Sequence, residues 1–233
     1  MTAAVEGALH AWYQKHPPFT VGGSLYAVPP AHRAATALAL ADRQCRVHVD
    51  VIIDPRGRSI GVGREELAAA RVAAPGARLD LHLILDPALT DDTAADLLGA
   101  ITQDAVRLGA EAVTMNPARA TRHPMVVDRL RRAGISLWFE HGASRPIDVT
   151  AGGADGALVM FIPPGTKQAA DPLMLTEVAR LSPTLPTAVD GGITADLASR
   201  CAAEGATYIV AGRSLLTAAA LSAPSQPIRK EQP

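Results

Sequence analysis

The sequence predicts a (β/α)8 barrel of the TIM type, a closed α/β fold, and three observations carry that expectation. Short apolar blocks rich in Val, Leu and Ile recur along the 233 residues, separated nearly throughout by helix-like segments. The blocks are apolar on both faces, as parallel strands are when helices cover them on both sides. Eight fit in the chain, and eight βα units in this length imply a barrel. An open, doubly wound sheet is the competing arrangement. No strand block is followed by G-x-G-x-x-G, the phosphate turn of dinucleotide-binding sheets, and Gly61-x-Gly63 falls in a loop as ordinary turn chemistry.

The elements follow in order. Residues 1–19 read as an added N-terminal helix with Leu9, Trp12 and Tyr13 on its apolar side, closed by Pro17-Pro18. A first strand covers 20–26, and a helix over 31–41 opens behind Pro29-Pro30, where the first turn tolerates proline. Strand two is 46–53, followed by a polar loop at 54–58, a helix at 64–73 and strand three at 79–85. A helix starts at the Asp91-Asp92 cap and runs to 108. A strand follows at 112–115, then a helix at 125–133 that stops before Gly134. Strands at 135–139 and 157–161 flank a weak gap, where only a short helix near 145–149 fits. The remaining units are a helix at 172–181, a strand at 187–189, a helix at 195–204, a strand at 208–211 and a last helix at 214–221. The barrel domain is therefore expected over 20–221, with a Pro-rich, polar and disordered tail from Ser222 to 233.

Composition excludes several classes of function. The net charge is -1 and no basic stripe is present, which argues against a nucleic-acid partner. The 48% of hydrophobic residues lie in short blocks, and none approaches a membrane span. Cys45 and Cys201 form neither a metal-type spacing nor a disulfide framework, and no basic segment leads into an apolar run at the start. A reduced, cytoplasmic setting fits these features.

Polar residues within the strand blocks carry the chemistry. In Val47-His48-Val49-Asp50, His48 and Asp50 project to one side, because residues two apart share a face of a strand. A buried charge there is costly unless paired or bound to a metal. Strand three carries Asp80 and His82, and strand seven runs into Asp190-Gly191-Gly192. A lone strand histidine is commonly a satisfied core group, and Asp80 is expected to face the helix layer or solvent. Barrel chemistry gathers at the C-terminal ends of the strands, however, and there His48, Asp50, His82 and Asp190 would converge from three strands. Two imidazoles and two carboxylates without a thiolate suit a divalent metal, zinc first, or iron, manganese or cobalt.

A second signal comes from glycine turns. Gly191-Gly192 and Gly212-Arg213-Ser214 follow strands seven and eight, each ahead of a predicted helix. Backbone N–H groups at such helix starts form the usual barrel phosphate site, to which Arg213 would add a charge. Pro163-Pro164-Gly165-Thr166-Lys167 follows strand six and could close over a ligand, with Lys167 near its phosphate.

These residues resemble the ribulose-phosphate 3-epimerase family. The matching stretches are His48-Val49-Asp50-Val51, Asp80-Leu81-His82-Leu83, Val159 through Met160 to Gly165, Val189-Asp190-Gly191-Gly192-Ile193 and Val210-Ala211-Gly212, spread over about 20–216. The resemblance implies a barrel of the ribulose-phosphate-binding type. It implies His48, Asp50, His82 and Asp190 as metal ligands, Asp50 and Asp190 also as acid and base, and Ser24 as a substrate contact. By the same match, Met160, Gly165, Gly191, Gly192, Gly212 and Arg213 would line the substrate site. Departures from the family pattern cluster in the substrate shell. Asp54-Pro55-Arg56-Gly57 replaces a Met-Asp-Gly turn, one glycine remains in the loop at 165–168, and Arg213 replaces a serine. Asn116 stands where a histidine is usual, and Glu140-His141-Gly142 where a Lys-Pro-Gly type turn is usual.

Such a centre suits inversion at a carbon beside a ketone. A metal holding the ketone and hydroxyl oxygens stabilises an ene-diolate, while one carboxylate removes a proton and a second returns one to the opposite face. The expectation is a metal-dependent epimerase acting at C3 of ribulose 5-phosphate, xylulose 5-phosphate or a related pentulose or hexulose phosphate. Barrels of this kind commonly associate, so a homo-oligomer is expected. Competing readings are another barrel enzyme, such as an aldolase, isomerase or decarboxylase, or a non-catalytic protein that binds metal and sugar phosphate. The barrel decarboxylases use an Asp-x-Lys pair on a strand, and strands two and three offer no lysine.

Overall fold

Strands that are apolar on both faces need an apolar layer on each side, and here they obtain it by closing on themselves under a ring of helices. A computed structural model describes residues 9–142, 153–164, 166 and 168–217. Eight parallel strands form a closed barrel in sequence order. They are β1 (Val21–Ser24), β2 (Arg46–Ile53), β3 (Leu79–Leu85), β4 (Ala112–Met115), β5 (Ser136–Gly142), β6 (Gly156–Met160), β7 (Thr187–Asp190) and β8 (Tyr208–Ala211). The described helices are α1 (Arg33–Asp42), α2 (Arg64–Ala73), α3 (Asp91–Arg107), α4 (Pro117–Arg122), α5 (Pro124–Arg132), α6 (Met174–Leu181) and α7 (Ala195–Ala203).

Alternation along the strands separates two interiors. Val47, Val49, Val51 and Ile53 of β2 point outward with Leu79, Leu81 and Leu83 of β3, and join Leu40, Leu67 and Leu98 of the helices in one large buried cluster. The opposite face of the sheet fills the barrel. Leu158, Met160, Ala188, Tyr208 and Val210 pack there, with Trp138 against them. Gly22 of β1 is required at this level, because an added Cβ would lie 2.2 Å from the Tyr208 hydroxyl.

Several elements differ from the sequence expectation. At the N-terminal end, Ala11–Lys15 is one short 3-10 segment, and Leu9 forms an antiparallel bridge with Leu216. Residues 1–8 lie outside the described residues, and the described part of the expected helix over 1–19 holds only this short segment. A helix between β4 and α5 was not anticipated: α4 starts on Pro117, with Asn116 capping it by accepting from Ala118 N at 3.0 Å. Strand β5 continues through Glu140 and His141 to Gly142. The expected last helix at 214–221 is absent from its described part. The amides of Leu215 and Leu216 bond to Gly212 O in a turn, and Leu216 is held by its bridge to Leu9. The helix near 145–149 and the tail from Ser222 lie outside the described residues.

Candidate active site and metal centre

Register sets the site. In the β2–β3 pair His48 lies opposite Asp80 and Asp50 opposite His82, so both residue pairs enter the barrel side by side at successive levels. Asp190, the last residue of β7, lies opposite Met160 at the upper level. One ligand atom from each of His48, Asp50, His82 and Asp190 falls within 4.8 Å of the others. The expected convergence of four residues from three strands is thus present.

Each side chain is held from behind. The His48 ring is fully buried and presents Nε2 to Asp50 Oδ1 at 3.2 Å, while its Nδ1 bonds to Asp80. Asp80 in turn accepts from the Tyr208 hydroxyl. This corrects the expected outward placement of Asp80. Two residues before His82 on one strand, it shares that residue's face, and its charge is paired inside the barrel instead of being solvated. His82 donates from Nε2 to Glu140 Oε2 at 3.1 Å, and Asn116 Nδ2 donates to Glu140 Oε1 at 2.9 Å. The other nitrogen, His82 Nδ1, is buried without a hydrogen bond and lies 3.5 Å from Asp50 Oδ1. An unpartnered imidazole nitrogen facing two carboxylates and a second imidazole fits a divalent cation, which would draw on these four side chains. Ser24 Oγ donates to the second Asp50 oxygen, Oδ2, at 2.7 Å.

Electrostatics divide the two central carboxyls. Burial alone would raise Asp50, but the His48 and His82 imidazoles outweigh it and hold Asp50 far below the usual carboxylate range. Burial and the neighbouring Asp50 charge instead push Asp190 up to about 6. Burial lowers both histidines, yet their carboxylate partners win. His48 ends well above its ordinary value, with Asp80 and then Asp50 beside it, and His82 rises to about 9 through Asp50 and Glu140.

A cavity of about 670 Å³ opens above these groups, lined among others by Ser24, Asp50, Met160, Asp190, Gly191 and Arg213. Gly192 and Gly212 also line it, so the expected substrate-side residues share one space, except Gly165, which with Lys167 lies outside the described residues. The Gly191 turn needs glycine: φ is +101°, and an added Cβ would sit 2.8 Å from the Ile162 amide nitrogen. The turn is followed by α7, whose Thr194 side chain caps Leu197 N. Arg213 stands exposed on the rim. The substituted turn after β2 does not reach the cavity. Asp54 is spent on its own loop, accepting from the Arg56 and Arg58 amides at 2.9 Å and from the Arg58 guanidinium at 2.8 Å.

Sequence reasoning left Glu140 open and assigned no role to Asn116 or Tyr208. The signal for Glu140 is its alternation with inward-facing Trp138, and the expected strand at 135–139 stops three residues short of the observed end at Gly142. His141, on the opposite face, bonds to Glu177 of α6 at 2.8 Å and takes no part in the centre.

The pattern of the Ribulose-phosphate 3 epimerase family matches residues 20–216. The chain belongs to this family. It is accordingly an isomerase, an epimerase by family. A ribulose-phosphate 3-epimerase of Candida glabrata is 31% identical over 179 residues, which cover 72% of this chain and 68% of that protein. Among solved structures, a tryptophan synthase alpha-subunit mutant from Pyrococcus furiosus superposes with a TM-score of 0.60 at 13% identity, covering 83% of this chain and 86% of that one. The alpha subunit from Campylobacter jejuni gives 0.54 at 13% identity, over 89% and 92%. At that identity the likeness speaks for the barrel alone. No helix among the described residues is long and apolar enough to cross a membrane.

Proposed function

We propose that this epimerase inverts C3 of a ketose phosphate, with ribulose 5-phosphate and xylulose 5-phosphate as the first substrates to test. The observation that carries the reading is the pair Asp50 and Asp190. They meet in one four-residue cluster at the floor of a single cavity, one held ionised and the other pushed towards its protonated form. Epimerisation by two bases needs that asymmetry: a carboxylate to take the proton from one face and a carboxylic acid to deliver one to the other. In one direction Asp50 receives the C3 proton while Asp190 supplies its own to the opposite face. The reverse reaction starts from the exchanged protonation state, and a second turnover in the same direction requires Asp50 first to release its proton to solvent and Asp190 to take one up. Ser24 keeps Asp50 aimed by holding Oδ2, which leaves Oδ1 toward the histidines.

His48, Asp50, His82 and Asp190 would hold the metal, for which zinc fits the two imidazoles first, with iron, manganese and cobalt as alternatives. Bound there, a divalent cation supplies Lewis-acid stabilisation of the negative charge that develops on the substrate oxygens. The Gly191 amide is engaged by Asp190 Oδ1 at 2.7 Å, so the phosphate end, distant from the reacting carbon, would draw on the Gly192 amide ahead of α7 and on Arg213, which lines the same cavity. Met160, which lines the cavity, would offer the substrate an apolar surface. The buried free thiols Cys45 and Cys201 suit a reducing compartment such as the cytoplasm.

The test is purified protein loaded separately with zinc, iron, manganese or cobalt and given ribulose 5-phosphate or related ketose phosphates in D₂O. Deuterium at C3 is the expected result, with unphosphorylated ribulose a much poorer substrate. No exchange with any metal or ketose phosphate would sink the proposal.

A further inference from the structure

Asn116 follows β4 and Glu140 stands near the end of β5, and the fold brings the two into contact. Asn116 Nδ2 donates to Glu140 Oε1 at 2.9 Å, and Glu140 Oε2 takes His82 Nε2 at 3.1 Å. The Asn116 amide cannot rotate freely, because its Oδ1 is engaged at the N-terminus of α4 by Ala118 N at 3.0 Å. Its NH₂ group is thus fixed toward the carboxylate. The chain Ala118 N, Asn116, Glu140, His82 is anchored at one end by a helix start and ends at a ring whose other nitrogen makes no hydrogen bond and faces Asp50 Oδ1 at 3.5 Å.

We propose that Glu140, held by Asn116, is a positioning residue for the metal centre: it fixes the proton of His82 on Nε2 and thereby assigns Nδ1 as the metal-donating atom. An imidazole can bind through either nitrogen, and the choice is set by what the other one does. With Nε2 committed to Glu140, only Nδ1 points at the cluster with Asp50. The other histidine obeys the same logic in mirror form. Asp80, itself held by Tyr208, takes His48 Nδ1 and leaves Nε2 inward. Each histidine therefore has its own carboxylate and each carboxylate its own neutral donor. The negative charge of Glu140 beside the ring also raises the basicity of the donating nitrogen, which a lysine in that place would lower.

The inference rests on the proposed metal site, and the experiment separates the two. Zinc affinity is measured by competition with a chromophoric chelator for the wild type, Glu140→Gln, Glu140→Ala and Asn116→Ala. In parallel, histidine ¹⁵N–¹H spectra of the zinc-loaded proteins report which His82 nitrogen carries the proton. The wild type should bind zinc with His82 protonated on Nε2. Glu140→Ala should lose about 10–100-fold in affinity, the usual range for a lost outer partner, with exchange broadening or loss of the Nε2–H signal. Glu140→Gln, which can still accept that proton, should keep the Nε2–H signal and lose less affinity. Asn116→Ala should fall between Gln and wild type. Wild-type zinc affinity in Glu140→Ala, or a His82 proton on Nδ1 in the loaded wild type, overturns the positioning role alone. Failure of the wild type to bind zinc, manganese or cobalt overturns the metal site and the inference with it. If Glu140→Ala does not fold, the Glu140→Gln and Asn116→Ala results decide the matter by the same criteria.

Discussion

Asp190 is pushed up to about 6 by burial and by Asp50, so near neutral pH its ionised form is under strain in the absence of a cation. Replacing it with asparagine removes that strain and the transferable proton together. Asp190→Asn should therefore keep the barrel's circular dichroism, match or exceed the wild-type melting temperature without metal, and lose about 10²–10⁴ in kcat. A near-normal rate would show that this carboxyl carries no proton. The histidines make the metal-free protein pH-sensitive in a defined direction. A raised folded-state value gives stability that is complete below the unfolded value and lost as pH rises through the folded one. For Asp190 the loss spans from 3.8 to about 6, and for His82 from 6.5 to about 9, with His48 acting in the same sense. Asp50, lowered, works the other way but only below about pH 4. The melting temperature of the metal-free protein should thus decline from pH 6.5 to 9. Imidazoles must be neutral to bind a cation, so the stabilisation by added zinc should grow over the same window. A metal-free midpoint that rises with pH in this range contradicts the arrangement.

At the scale of elements, the turn from β7 into α7 is the most tightly specified piece of the site. Gly191→Ala must place a side chain at φ +101° against the Ile162 amide. It should cost about 1–3 kcal/mol in urea unfolding and raise KM for a phosphorylated substrate more than it lowers kcat. Unchanged stability would mean the turn relaxes without penalty. Much of this level was legible in the sequence. β2, β3, β4 and β8 were bounded correctly because their apolar runs end at plain turn residues, and the pairing of β2 with β3 then follows. The misses have physical reasons. Asn116-Pro117 looks like a strand exit, yet proline at the first helical position and an Asn cap are also how α4 begins. β5 was cut at Phe139 because Glu140 and His141 are charged or polar, while in the barrel Glu140 is satisfied by His82 and Asn116 and His141 by Glu177. Asp80 was turned outward on the same reasoning. Spacing alone cannot tell that Tyr208, over a hundred positions later, arrives to receive it.

The whole molecule is closed by a seam between β8 and β1, and the N-terminal segment is fastened across that seam. Leu9 bridges Leu216, His10 N donates to Leu215 O at 2.7 Å, and Trp12 Nε1 donates to Ser214 O at 2.8 Å. The residue before Ser214 is Arg213, on the rim of the cavity. The fastening and the turn that carries Arg213 are therefore one piece of backbone. Half-buried Trp12 hangs from that turn as a fluorophore, and Trp138, partly buried against the barrel interior, is the chain's other tryptophan. A Trp138→Phe protein would emit from Trp12 alone. Titrated with inorganic phosphate, its emission should change saturably, at the concentration where phosphate competes with substrate. Competition without any optical change would mean that the turn binds without moving its tether. A saturable change would make the N-terminal strap a native gauge of occupancy, legible in a cuvette without a label.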